Sequence, residues 1–380
     1  MTKREDEDRE FVKRELERQH DDFEAKENDK RLRELAAAKL REKQDAEAAL
    51  SPEEKAAMES ELEALEEEQL DRRAPWIPDL LDGALKLMQR RADKTETPLQ
   101  TPWPSLNAIL GGGLWPGLHI LTGTTGSGKT QLALQVALNA ARRNTPVLYV
   151  GLELGPEEIA TRLLALVLGE QGGPAPMWSD LYLGKDAGAM QRAREQAVPV
   201  LATLPLRVEI GDAGAWTASD LDRRVSVIRR LTGKAPLIVL DYLQLVGNEE
   251  PRQDLREGIR AAAIKARNVA RRGATVLLLS SVSRENAKLL RPATGKDAEK
   301  AEVLGQGDAS RLVGLGKESG EIEFSADTVI ALGTEAFSPG QTPCHLAAAK
   351  VRAGMPGWVS LVFDGTSFSE VTTQTTGGRR

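Results

Sequence analysis

Eight consecutive residues, Gly123, Thr124, Thr125, Gly126, Ser127, Gly128, Lys129 and Thr130, fit the pattern GxxxxGK[ST] without exception. The spacing has a chemical purpose. Glycines let successive backbone N–H groups turn inward around an anion, and the helix that follows offers its positive end to the same charge. Lys129 is then placed to reach the β- and γ-phosphates of a nucleotide, and the Thr130 hydroxyl to ligate Mg²⁺. Gln131 continues into that helix and belongs to the same candidate nucleotide-binding set. ATP with Mg²⁺ is the ligand chemistry such a loop takes.

Further candidates lie at the ends of apolar runs. Leu237-Ile238-Val239-Leu240-Asp241 reads as a buried strand delivering a carboxylate, a second Mg²⁺-organising group. Glu153 follows the apolar run Val147 to Leu152; it is either a general base for an attacking water or a capping acid for the helix opened by Pro156-Glu157-Glu158. Ser280, Ser281, Ser283 and Arg284 close the run Thr275 to Leu279, where polar groups can sense a γ-phosphate. Lys350 and Arg352 alternate at the end of another run. They either protect an edge strand with charge or reach the nucleotide of an adjacent subunit, as an arginine finger does.

The elements that must hold these groups follow from periodicity. Strands are expected at 118–122, 147–152, 206–210, 236–241, 274–280, 327–332, 344–351 and 358–363, and helices at 129–142, 156–169, 189–203, 218–232 and 253–272. The alternation predicts an α/β fold with a mostly parallel sheet covered by helices. Residues 285–318, weakly periodic and charged, read as a long mobile loop. Leu80, Leu81, Ala84, Leu85 and Met88 fall on one face of a helix from Asp79 to Arg91, which packs on its own domain or docks on a neighbouring subunit. The polar, proline-bearing stretch Asp93 to Pro104 reads as an extended linker. The chain thus divides into a charged arm (1–75), a linker helix with linker (76–104), an ATPase domain (105–372) and a tail (373–380).

Composition narrows the function classes. The 380 residues are 41% hydrophobic but only 4% aromatic, so the core must be mostly Leu, Val, Ile and Ala. The net charge of −6 hides an asymmetry: residues 1–75 carry 16 Lys and Arg against 25 Asp and Glu, a net of −9, which leaves +3 for the remainder. Overall acidity therefore does not argue against a nucleic-acid partner. Within the arm, Ser51-Pro52-Glu53-Glu54 reads as the start of a helix running to Leu70. The arm is either solvated or an element for partner binding or self-association. The lone Cys344, beside apolar residues, reads as a buried inert thiol, and His20, His119 and His345 have no partners at zinc-ligand spacing. No apolar run of membrane-spanning length and no leader pattern is present, so a cytoplasmic location away from membranes is expected.

Together these motifs resemble the C-terminal, RecA-like ATPase domain of DnaB-type replicative helicases. The resemblance covers about residues 76–370. Its matching pieces are Ser105-Leu106-Asn107 with Gly111-Gly112-Gly113-Leu114, the phosphate loop, Gly151-Leu152-Glu153-Leu154, Leu240-Asp241-Tyr242-Leu243-Gln244-Leu245, Ser280-Ser281-Val282-Ser283-Arg284, Glu318-Ser319-Gly320-Glu321-Ile322-Glu323 with Ala326-Asp327, and Ala349-Lys350-Val351-Arg352-Ala353-Gly354. The resemblance implies Glu153 as catalytic glutamate, Asp241 as the acid organising Mg²⁺ through water, and Lys350 and Arg352 as fingers for a neighbour's site. It places Lys317, Glu318 and Gly320 on a loop that follows single-stranded DNA, and implies a homo-hexameric ring translocating 5′ to 3′. A loader or other protein is a candidate partner of the arm.

The departures matter as much. Ser281 stands where the family usually has a glutamine, and its shorter hydroxyl needs water to reach a γ-phosphate. Residues 285–317 are longer than usual. A charged arm stands in place of the family's globular collar, which points to a phage, plasmid or accessory version. Three readings stay open: a ring-forming DNA helicase, a RecA- or KaiC-like ATPase acting as switch or scaffold, and a RadA-like recombination ATPase.

Overall fold

In the computed structural model, the described residues are 76–171, 175–211, 216–241, 255–282, 285–290, 307–315, 325–335 and 341–371, with Ser51, Ala74, Leu243 and Glu323 singly. The chain divides into two units, Met1–Glu96 and Thr97–Arg380. In the first, α1 (Ile77–Ala92) starts on Pro78 in its first turn and ends on Arg90 and Arg91, a favourable charge at a helix C-terminus. Leu80, Leu81, Leu85 and Met88 on its apolar face are 49–65% exposed. The arm and its expected helix, apart from Ser51 and Ala74, and the tail 373–380 lie outside the described residues.

The second unit is built on one sheet of β1 (Gly117–Gly123), β2 (Val147–Gly151), β3 (Leu206–Ile210), β4 (Leu237–Asp241), β5 (Thr275–Ser281), β6 (Thr328–Thr334), β7 (Thr342–Val351), β8 (Gly357–Phe363) and β9 (Phe368–Glu370). Its order is β3-β2-β4-β5-β1-β6-β7-β8-β9. Strands β1 to β6 pair in parallel, and β7 to β9 are antiparallel additions. β1, β2 and β4 are buried along their whole length, as unbroken apolar runs covered on both faces must be. One face is covered by α2 (Pro104–Ile109), α3 (Lys129–Arg142) and α4 (Pro156–Gly169). The other is covered by α8 (Ala218–Thr232) and α9 (Leu255–Arg271). Between α4 and β3 come α5 (Trp178–Tyr182), α6 (Ala187–Arg192) and α7 (Val198–Ala202).

The structure departs from the sequence reading in four places. The helix expected at 189–203 is divided by a π turn, Ala193–Ala197, between α6 and α7. Pro199 lacks the N–H that Glu195 O would accept in an α-helix, and the ladder widens just before it. The linker expected over 93–104 ends early. Leu99 bridges Leu114, Thr101 N–H donates to Asn107 Oδ1 at 2.8 Å, and Trp103 is 1% exposed. The loop expected at 285–318 is ordered locally in its described parts: Asn286–Leu290 and Ala309–Leu312 form 3₁₀ turns, with Leu290, Ala309, Leu312 and Leu315 in the core. Finally, β7 lies between β6 and β8. Lys350 and Arg352 therefore do not protect an edge strand. Cys344, as expected, is buried, and burial pushes its thiol up to about 11.

Trp103 closes the unit over a long sequence separation. Its indole N–H donates to Phe368 O at 3.1 Å, tying α2 to β9. Trp103→Ala is expected to lower stability by about 3–5 kcal/mol in urea unfolding, whereas exposed Leu231→Ala stays within about 0.5 kcal/mol. Equal effects would show that this closure does not hold the unit together.

Candidate nucleotide site

Parallel strands bring their carboxyl ends to one edge, and strand register sets which residues meet there. Gly123 at the end of β1 is level with Ser281 at the end of β5. Gly151 at the end of β2 is level with Asp241 at the end of β4. The hydrogen bond from Leu152 N–H to Asp241 O, 2.8 Å, holds the next residue, Glu153, beside that carboxylate. A cleft of about 400 Å³ opens there, lined by Thr125, Gly126, Gly128, Lys129, Thr130, Gln131, Glu153, Asp241 and Ser281 among others. The candidates read from separate stretches of sequence, Lys129 to Gln131, Glu153, Asp241 and Ser281, thus converge. Arg284, Lys317, Glu318 and Gly320 lie outside the described residues.

The phosphate loop has the geometry of an anion cradle. Gly128 sits at φ +92°, and a Cβ there would stand 2.8 Å from the Phe368 ring, so backbone and aromatic ring meet only because the side chain is missing. Ser127 Oγ is buried without a hydrogen-bond partner. Thr334 Oγ1 donates to Ser127 O at 3.3 Å and braces the loop from β6. Lys129 Nζ donates to Gly123 O and Thr124 O, both at 2.9 Å. Burial pulls the Lys129 ammonium down to about 8, against the carboxylates of Asp241 and Glu153, which favour its charge.

Asp241 is 3% exposed. Burial raises its carboxyl above the usual range, opposed by hydrogen bonds from Tyr149 and Thr130. The Tyr149 O–H bond is 2.6 Å. Thr130 and Asp241, already in contact, form the hydroxyl-and-carboxylate pair that a Mg²⁺ ion with phosphate ligands uses. Among the described residues no group of three or more His, Cys, Asp or Glu could hold a metal alone. Glu153 is also raised, first by burial and then by the Asp241 charge.

Sequence reasoning missed one wall of the cleft. Arg162 on α4 stacks over Trp178 at 3.7 Å from the ring centroid and donates to Glu158 Oε1 at 2.7 Å. Phe363, at the end of β8, and Gly365, in the β8–β9 turn, line the same cleft. The pairing of Glu158 and Arg162 at i, i+4 was a readable signal; their meeting with Trp178 was not. A planar ring fits such a cationic and aromatic wall.

Lys350 and Arg352 are elsewhere. β7 runs antiparallel to β6, so Lys350 is level with Val329 and Arg352 follows at the amino-terminal end of the parallel strands. β1 has seven residues, so this end stands about 20 Å from the phosphate loop. Lys350 Nζ donates to Glu323 O at 3.4 Å; burial, then the Arg352 cation, lower its ammonium. Neither cation reaches its own chain's cleft.

Residues 98–370 match the family described as DnaB-like helicase C terminal domain. The chain belongs to that family. It is similar to the replicative DNA helicase DnaB of Synechocystis sp., 29% identical over 220 residues, 55% of this chain and 23% of that protein. To the replicative DNA helicase DnaB of Leifsonia xyli it is 26% identical over 287 residues, 73% of this chain and 56% of that protein. The chain thus spans less than two thirds of the curated relatives it matches. A solved DnaB-like replicative helicase, described with its primase interactions, has the same fold, with a TM-score of 0.60 and 19% identity, covering 76% of this chain and 66% of that one. RecA-like architecture in this DnaB-like domain accounts for the strand order and the position of the cleft. No described helix is long and apolar enough to cross a membrane.

The Lys129 ammonium gives a pH signature. It is charged below about 8 and loses its proton above, so this ammonium should leave the affinity of a fluorescent nucleoside triphosphate unchanged between about pH 7 and 8. Above about 8 it should weaken by up to about tenfold per pH unit. Lys129→Arg should remove that slope; an unchanged wild-type affinity up to pH 9.5, about 1.5 units higher, would place the ammonium outside the binding site.

Proposed function

We propose that this chain is an ATP-hydrolysing motor that forms a hexameric ring, moves 5′ to 3′ along one DNA strand and unwinds duplex ahead of it. The observation that carries this reading is the meeting of Lys129, Thr130, Asp241, Ser281 and Glu153 in one cleft, in a chain of the DnaB-like family. Lys129 and the loop N–H groups would hold the phosphates, Gln131 would border them, and Thr130 with water-mediated Asp241 would hold Mg²⁺. The metal supplies charge neutralisation at the transferred phosphoryl group. Glu153 takes the proton of the attacking water, and Ser281 senses the γ-phosphate through water. Lys350 and Arg352, distant from their own cleft, complete the cleft of a neighbouring subunit.

The same division of labour assigns the rest. α1 is the helix that docks its exposed apolar face on an adjacent subunit, the arm 1–75 is the platform for a loader or other protein, and Lys317, Glu318 and Gly320 follow the DNA backbone. Residues 105–372 with the packed segment from Thr97 make the ATPase, and 373–380 the tail. A second reading, an ATP-ordered switch without unwinding, is favoured by the short hydroxyl of Ser281.

Glu153→Gln keeps size and polarity but removes the base. It should retain nucleotide binding and assembly while lowering steady-state hydrolysis on the order of 10²–10⁴-fold. Turnover at the wild-type rate would remove Glu153 from the mechanism.

A further inference from the structure

Arg352 is 61% exposed, an arrangement in which a long side chain ordinarily samples many rotamers, yet it is held at both ends. Its backbone N–H donates to Asp327 O at 2.9 Å, and its guanidinium Nη1 meets Asp327 Oδ1 at 2.8 Å. Asp327, 22% exposed, is itself fixed. Its other oxygen, Oδ2, accepts the Leu118 N–H at 2.9 Å, and its own N–H donates to Leu118 O at 2.8 Å. One carboxylate therefore bridges the start of β1, the strand that leads to the phosphate loop, and the cation offered away from it.

The turn after Arg352 is clamped as well. Met355 N–H donates to Ile109 O at 3.1 Å. Backbone meets backbone so closely that a Cβ on Gly354 would run into Ile109 O, and one on Gly111 into Ala353 O. Gly111, at the opening of the domain, thus seats the turn that follows the cation. Nothing in the chain's own cleft uses this brace, since the cleft is at the other end of β1.

We propose that Asp327 is a positioning residue that presents the Arg352 guanidinium to the nucleotide cleft of a neighbouring subunit. This rests on the reading of Arg352 as a finger acting between subunits. An exposed Arg–carboxylate pair contributes little to stability, so its effect should appear in turnover. An asparagine at 327 has one acceptor for two donors, Leu118 N–H and Arg352, and one of them loses its partner.

The test is hydrolysis by mixed assemblies. Asp327→Asn alone should lower kcat on the order of 10- to 100-fold, with KM and the affinity of a fluorescent ATP analogue within about twofold of wild type. Asp327→Glu, which keeps both acceptors, should recover part of the loss. Mixing Asp327→Asn chains with Lys129→Ala chains, which lack a cleft but keep a braced Arg352, should restore activity at the Asp327→Asn clefts. Mixing them with Arg352→Ala chains should restore none. Equal restoration by both partners, wild-type turnover of Asp327→Asn, or its loss of nucleotide binding or assembly would each overturn the proposal. A control mixture of Lys129→Ala with Arg352→Ala chains separates the two claims: if it stays inactive, the finger reading itself fails and the positioning role falls with it.

Discussion

Lys129 places an ammonium where burial works against its charge, and the carboxylates of Asp241 and Glu153 favour that charge while two backbone carbonyls accept its hydrogen bonds. The rest of the cleft answers to that constraint. Asp241 must itself be buried beside it, and hydrogen bonds from Tyr149 and Thr130 offset part of that cost. Bringing these groups together requires the ends of β1, β2 and β4 at one edge, which is what the parallel register provides. The two apolar layers pack on both faces of the sheet and hold its strands in place.

The same topology separates the cleft from the two cations. Parallel strands place the phosphate loop at one end, while the antiparallel return through β7 carries Lys350 and Arg352 to the other. A single chain thus holds a cleft and a pair of cations that cannot meet. The ring proposed above would use both, and would couple turnover to subunit arrangement.

Much of this was legible in the sequence, for reasons that are local. The limits of α3, α4 and α8 match the periodicity residue for residue, because caps, prolines and apolar spacing act within a few positions. The phosphate loop, Glu153 and Asp241 were readable because each ends an apolar run. What escaped depends on distant pairings. The Arg162–Trp178 wall joins residues on separate helices, and α2 and β9 are short pieces stabilised by contacts across 265 residues. The position of Lys350 and Arg352 relative to the cleft needed the direction of β7, which alternation of apolar residues does not encode. The π turn before Pro199 is an intermediate case, since the proline was visible but not the way the helix absorbs it.

The most direct test of the motor reading is the steady-state rate of ATP hydrolysis with and without a long single-stranded DNA oligonucleotide at low salt, where backbone contacts are strongest. A several-fold stimulation is the predicted result, because a strand in the ring biases the loops that link neighbouring clefts. A healthy basal rate that DNA leaves unchanged would contradict the account and favour an ATP-ordered switch.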